Sequence, residues 1–337
     1  MKQLRDIPVS VLDLAPIVEG GSAAEALRNS LDLATRAEGW GYRRFWVAEH
    51  HSMPGIASSA TSVVIGHIAA GTQTIRVGSG GIMLSNHAPL AVAEQFGTLE
   101  SLFPGRIDLG LGRAPGSDQA AARALRRGTV GDGSEFPEQL SELRAYFDPE
   151  GADSRPRGVH AVPGEGLDIP IWLLGSSGFS ARLAAQLGLP FAFASHFAPE
   201  YLLPALELYR TNFRPSAVLD KPYVMVGLGI TAADTAAEAA RLATSQQQQF
   251  LNLVRGRPGK LQQPVDSMDE LWTPYEKSLL AGKQQYSIHG DKASIKERLQ
   301  QMLAETDADE WIVASQIYDH QARLRSYELV AEALREI

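Results

Sequence analysis

Short apolar runs alternate with amphipathic stretches along most of the chain. The first run, Pro8 to Leu14, stops at Pro16, and Ser22-Ala23-Ala24-Glu25 then has the spacing of a helix-starting capping box. Leu27, Leu31 and Ala34 recur at helical spacing, Gly39-Trp40-Gly41 ends the helix, and Phe45 to Ala48 reads as a second strand. The alternation repeats. Thr61 to Ala70 is a small-residue helix, Ile75 to Gly78 a third strand, and Pro89 opens a helix that halts at Pro104-Gly105 before a fourth strand, Ile107 to Leu111.

From Ala114 to Ile169 the pattern loosens into stretches rich in Gly, Pro and Asp, around a helical piece near Leu140 to Phe147. Regular alternation resumes with the strand Pro170 to Leu174, a helix from Ser180 to Gly188, the strand Phe191 to Ala194, a helix from Leu206 to Phe213, and a seventh strand, Tyr223 to Leu228. A polar helix from Ala233 to Leu253 leads into a Gly- and Pro-punctuated stretch from Arg255 to Tyr286, a candidate lid. Lys292 to Leu303 is helical, Trp311 to Ala314 is the eighth strand, and Gln321 to Leu334 is a closing amphipathic helix. Eight strand–helix units predict an α/β fold, a TIM (β/α)8 barrel with elaborated connections after strands 4 and 7, as one domain over residues 1–337. An open doubly wound sheet is the structural alternative.

Composition narrows the chemistry. The net charge of -8 argues against a nucleic-acid partner, which requires clustered Lys and Arg. With no cysteine, thiolate nucleophiles, disulfides and cysteine-based metal sites are excluded, and a cytoplasmic location is expected. No apolar run is long enough for a signal peptide or a membrane span.

In a closed barrel the reacting groups lie at the C-terminal ends of the strands. Those ends carry Asp13, Glu49-His50-His51, Ser79-Gly80-Gly81, Arg113, Ser176-Ser177, Ser195-His196 and Ser315-Gln316. None of the seven lysines falls there, which disfavours Schiff-base chemistry. The first strand offers no His-x-His pair, so no metal is expected. His50 and His51 point to opposite faces if the strand persists, and either is a functional imidazole or a structural one. Gly80-Gly81 is either a plain turn or a backbone left bare for a flat ligand. In Gly110-Leu111-Gly112-Arg113-Ala114-Pro115-Gly116 the arginine stands out: beside Gly175-Ser176-Ser177-Gly178, which opens a helix, it makes a phosphate pocket. Ordinary helix capping by Ser176 or Ser177 is the competing reading.

The ordered series Trp46-Val47-Ala48-Glu49-His50-His51, Val77 to Leu84, Asn86-His87-Ala88-Pro89-Leu90, Ala93-Glu94-Gln95-Phe96 and Pro104 to Arg113 resembles the bacterial luciferase-like, flavin-dependent monooxygenases. The resemblance spans nearly the whole chain. It implies that His50 is the catalytic histidine, that Gly80-Gly81 is a non-proline cis peptide on which the isoalloxazine ring leans, and that Arg113 with Gly175, Ser176 and Ser177 binds the flavin phosphate. Gly112 stands where true luciferases carry a reactive cysteine, so the non-luminous branch is implied.

The activity implied is oxygenation of a small organic substrate by reduced FMN and O2 through a flavin C4a-peroxide, the FMN being reduced by a separate flavin reductase. An F420-dependent oxidoreductase and a non-catalytic flavin-binding protein are the alternatives; Glu49-His50-His51 resembles the FMN-type pattern more closely. A homodimer is expected, with the small-residue helix Ser58 to Gly71 as its contact.

Overall fold

The structure is a computed structural model and describes residues 2–113, 119–126, 133–148 and 154–335. In chain order the strands are β1 (Val9–Asp13), β2 (Arg44–Val47), β3 (Arg76–Met83), β4 (Ile107–Gly112), β5 (Ile171–Gly175), β6 (Phe191–Phe193), β7 (Val224–Ala232), β8 (Ser287–Gly290) and β9 (Glu310–Ala314). The helices are α1 (Ala23–Gly39), α2 (Thr61–Ala70), α3 (Pro89–Leu102), α4 (Gln119–Arg126), α5 (Phe136–Phe147), α6 (Gly178–Leu187), α7 (Leu202–Asn212), α8 (Ala236–Val254), α9 (Pro274–Lys283), α10 (Lys292–Thr306) and α11 (His320–Arg335). All strand pairings are parallel, and the ring β1 through β7 closes by β7–β9 and β9–β1, giving the eight-stranded barrel expected. The eighth barrel strand is β9. β8 is an addition: it pairs with Gly229 to Ala232, where β7 runs on past the barrel.

Alternation along each strand divides the apolar side chains between two layers. Val9, Val11, Phe45, Val47, Leu109, Phe191, Val226 and Val313 face the helices in one cluster, while Leu12, Trp46, Ala48, Trp172, Ala192, Met225, Ile312 and Ala314 fill the lumen in another. The lumen residues are graded in size. Trp46 and Trp172 meet edge to face at 5.2 Å in the middle, whereas the small Ala48, Ala192 and Ala314 lie towards the C-terminal rim.

The N-terminal end is closed by charge. Arg44 donates to Asp108 Oδ2 at 2.7 Å and to Glu310 Oε1 at 2.9 Å, and Arg76 binds Asp108 Oδ1 at 2.7 Å. Trp46 Nε1 donates to Asp108 Oδ2 at 3.1 Å, while Ser10 and Tyr223 donate to Glu310 at 2.6 and 2.9 Å. Buried ions are tolerated when paired in this way.

Of the connection after β4, residues 114–118, and so Ala114 to Gly116, lie outside the described residues, as do 127–132 and 149–153; the rest contains α4 and α5. The stretch Arg255 to Tyr286 is more regular than its Gly and Pro content suggests. It contains α9, started by a full capping box between Thr273 and Glu276.

Candidate functional site

β3 and β4 set the geometry of one side of the rim. Their ladder runs in register to Ser79↔Leu109 and resumes at Ile82↔Leu111, so Gly80-Gly81 forms a bulge, and the peptide between these glycines is cis. The bulge deprives Gly110 of a ladder partner; the Ser79 hydroxyl replaces it, accepting from Gly110 N at 3.0 Å and donating to Gly110 O at 2.8 Å. A side chain would crowd either position, most firmly at Gly81, where the neighbour is backbone. A Cβ on Gly80 would lie 2.7 Å from Leu12 Cδ1, and one on Gly81 would lie 2.8 Å from Gly110 O. Gly80 is nevertheless partly exposed at the rim.

Next to this bulge, Glu49 gathers four donors. It is 1% exposed. Oε1 receives His51 Nε2 at 2.6 Å, His87 Nε2 at 2.9 Å and Asn86 Nδ2 at 3.3 Å, and Oε2 receives Met83 N–H at 3.0 Å. Burial alone would raise this carboxyl, but the His87 bond and charge, the Met83 N–H and the His51 bond hold it below the ordinary value of 4.5. Glu49 and His51 thus share one side of the chain after β2. His50, between them, lies near enough to His196 for the two imidazoles to interact electrostatically.

His87 was not singled out by its position in the sequence. It follows the turn Leu84–Asn86 after β3, and its partner Glu49 is 38 residues away. The Nε2 atoms of His51 and His87 and a Glu49 oxygen all lie within 4.8 Å of one another, a spacing a metal would also accept. Hydrogen bonds from protonated Nε2 atoms account for both short contacts.

Arg113 is placed where β4 ends, with its guanidinium 4.2 Å from the centre of the Phe179 ring. Phe179 is the second residue of α6, so the cation stands beside that helix's first turn. Ser177 occupies the N-cap position but makes no side-chain capping bond, contrary to the capping reading. Gly175 is needed for the tight approach of β5 to α6: a Cβ there would meet Ser180 Cβ at 2.7 Å.

The remaining strand ends divide. Asp13 is fully buried and accepts from Arg323 Nη2 at 2.5 Å and Ala15 N at 3.0 Å, tying β1 to α11. Ser195 donates to Gly227 O at 2.6 Å, and Ser315 N–H donates to Tyr327 OH at 3.1 Å. These three hold the framework. His196 differs: its Nδ1 is buried without a hydrogen-bond partner, and burial together with the nearby His50 lowers its pKa to about 4.

The segment before α9 crosses this end of the barrel. Leu261 exchanges backbone bonds with Ile17 and Glu19 at 2.9 Å each, Gly55 lies against Gly259, and Gln248 on α8 donates to Gln263 O at 2.8 Å. Among the described residues no helix is long and apolar enough to cross a membrane.

A family model described as luciferase-like monooxygenase matches residues 7–310. A luciferase-like monooxygenase of Escherichia coli strain K12 is 57% identical, over 99% of this chain and 98% of its own. An N-acetyl-S-alkylcysteine monooxygenase of Bacillus subtilis is 34% identical, over 97% of this chain and 98% of its own. The solved structure of apo-MsnO8 superposes with a TM-score of 0.90 at 36% identity, covering 97% of this chain and 98% of that one. Two more distant structures share the fold. The oxygenating constituent of 3,6-diketocamphane monooxygenase from Pseudomonas putida, in complex with FMN, has a TM-score of 0.71 at 17% identity, covering 98% of each chain. An F420-dependent secondary alcohol dehydrogenase, in complex with an F420–acetone adduct, has 0.72 at 13%, covering 98% of this chain and 100% of that one. A match running from before β1 to the first residue of β9, with relatives aligned over almost their whole length, shows that this chain belongs to the luciferase-like monooxygenase family.

Proposed function

We propose that the chain is an FMN-dependent monooxygenase that uses O2 to oxygenate a small organic substrate at the C-terminal rim. The observation that carries this reading is the convergence of three separate features on one side of the rim. These are the Glu49-anchored histidines, the Gly80-Gly81 bulge, and Arg113 beside the uncapped start of α6. The features suit a flavin mononucleotide: a cation and free backbone N–H groups for the phosphate, and a part-exposed glycine backbone above a small-residue lumen for a flat ring. In the reading, Arg113, Ser176, Ser177 and Gly175 hold the phosphate and Gly80-Gly81 supports the ring. FMN, reduced by a separate flavin reductase, supplies the electrons that activate O2. His50 moves a proton at the reacting oxygen, and Glu49 with His51 and His87 fixes the backbone from which His50 projects. The segment from Arg255 to Tyr286 covers the rim and excludes water.

Side-by-side titrations with FMN, reduced FMN and F420 test the reading. Binding of either form of FMN, with substrate-dependent O2 uptake lost in His50→Ala, is the expected result; binding of F420 alone, or of no flavin, overturns it. A homodimer through α2 is part of the same proposal, since Val63 and Leu102 are 71% and 64% exposed on neighbouring helices while Val64, Ile65 and Ile68 face the barrel.

A further inference from the structure

The lumen holds a second imidazole that the reading above leaves without a task. After β6 the chain turns, with Ala198 N–H donating to Ala194 O at 3.2 Å, and the turn carries His196 inward. Gly227 shares the lumen-facing side of β7 with Met225, and a Cβ on Gly227 would lie 2.5 Å from His196 Nδ1. The ring therefore occupies the space a side chain at 227 would fill, inside the rim, with Phe197 edge-on at 5.0 Å. The residue is partly exposed, yet Nδ1 is sealed without a hydrogen-bond partner.

That asymmetry selects a tautomer. An unpaired lone pair is a smaller penalty in a buried site than an unpaired N–H, so the proton belongs on Nε2, the nitrogen that is not sealed. Burial and the neighbouring His50 keep the ring neutral through the physiological range. A neutral ring among alanines and glycines gains nothing from an anion but offers one directional donor to an uncharged acceptor. We propose that His196 contacts the substrate directly, donating from Nε2–H to a neutral carbonyl-type oxygen of an apolar organic molecule, opposite His50. The proposal rests on the rim as the place of reaction but not on which flavin binds there.

Two measurements made without flavin test it, so that failure of the flavin reading shows separately. In long-range 1H–15N spectra of the 15N-histidine-labelled protein near neutral pH, the resonances lost in His196→Phe are expected to report the neutral Nε2–H form. A charged ring or an Nδ1–H form overturns the proposal. Acetophenone then serves as an apolar carbonyl probe, followed through the His196 resonances and tryptophan fluorescence. Expected are a saturable shift of Nε2–H, about tenfold weaker binding in His196→Phe and His196→Asn, and near-native binding in His196→Gln, whose amide reaches the Nε2 position. Asparagine reaches only the Nδ1 position, and it replaces the phenylalanine variant if that fails to fold. Failure of the native protein to bind acetophenone, or equal binding by all three variants, overturns the proposal.

Discussion

Replacing Glu49 by Gln removes one charge and keeps the shape, and the structure dictates how that acts. A glutamine has one acceptor and one donor end. If its oxygen stays towards His51, His87 and Asn86, its NH2 meets the Met83 N–H; if it flips, the three side-chain donors lose their acceptor. The better orientation leaves one buried backbone donor unpaired, about 1–3 kcal/mol, and makes two charge-assisted bonds neutral, roughly another 1 kcal/mol. We therefore expect a loss of about 2–4 kcal/mol, measured by urea unfolding followed through tryptophan fluorescence. The pH dependence identifies its source. The folded carboxyl titrates below its ordinary value of 4.5, so its contribution is complete above that value and is lost as the pH falls through the lower folded one. The gap between native protein and variant should be full near neutral pH and narrow in acid. An E49Q variant as stable as the native protein near neutral pH, or a gap unchanged at about pH 3, refutes the account of Glu49 as a charged acceptor.

Arg44→Met leaves Asp108 and Glu310 facing each other with fewer partners, and about 3–5 kcal/mol of stability should be lost in the same unfolding assay. Ser79→Ala removes the hydroxyl that serves the Gly110 N–H beside the bulge; calorimetry should show a loss of about 1–3 kcal/mol. Arg113→Met keeps contact with the Phe179 ring but removes the cation, so FMN affinity measured by fluorescence quenching should fall roughly 10–100-fold with little change in melting temperature. Val63→Asp should shift a dimer towards monomer by light scattering, without altering the far-UV circular dichroism.

The barrel was legible because its signals are local. Apolar runs and their Gly, Pro and Ser boundaries place the eight barrel strands to within a few residues, and Thr61 to Ala70 is helix α2 itself. β3 and β7 run further than their apolar runs because glycines such as Gly80 and Gly229 look like strand ends while remaining in the sheet. β8 escaped notice because Ser-Ile-His-Gly has no periodicity; it is a strand because the extension of β7 offers an edge to pair with. The capping box Thr273-Pro274-Tyr275-Glu276 is a local signal for α9 within a stretch whose Gly and Pro content otherwise reads as loop. At the rim, the residues expected from strand ends come together, but their connections are long-range. Glu49 to His87 joins distant positions that no pattern along the chain announces, whereas the nearness of Arg113 to the start of α6 was readable from the strand-end rule, though not its contact with the Phe179 ring. The bareness of Gly80-Gly81 also has a cause hidden from sequence, the nearness of Leu12, Trp46 and Gly110.

The charged floor has a consequence for traffic. Arg44, Arg76, Asp108, Glu310, Tyr223 and Ser10 bind one another across the base, with Trp46 and Trp172 edge to face above them, so the barrel is a cup rather than a tube. Paired ions and packed indoles oppose the passage of protons and small molecules from below. Traffic is therefore expected at the opposite rim, where the 257–266 segment is laced to the β1–α1 loop by backbone bonds between Leu261, Ile17 and Glu19.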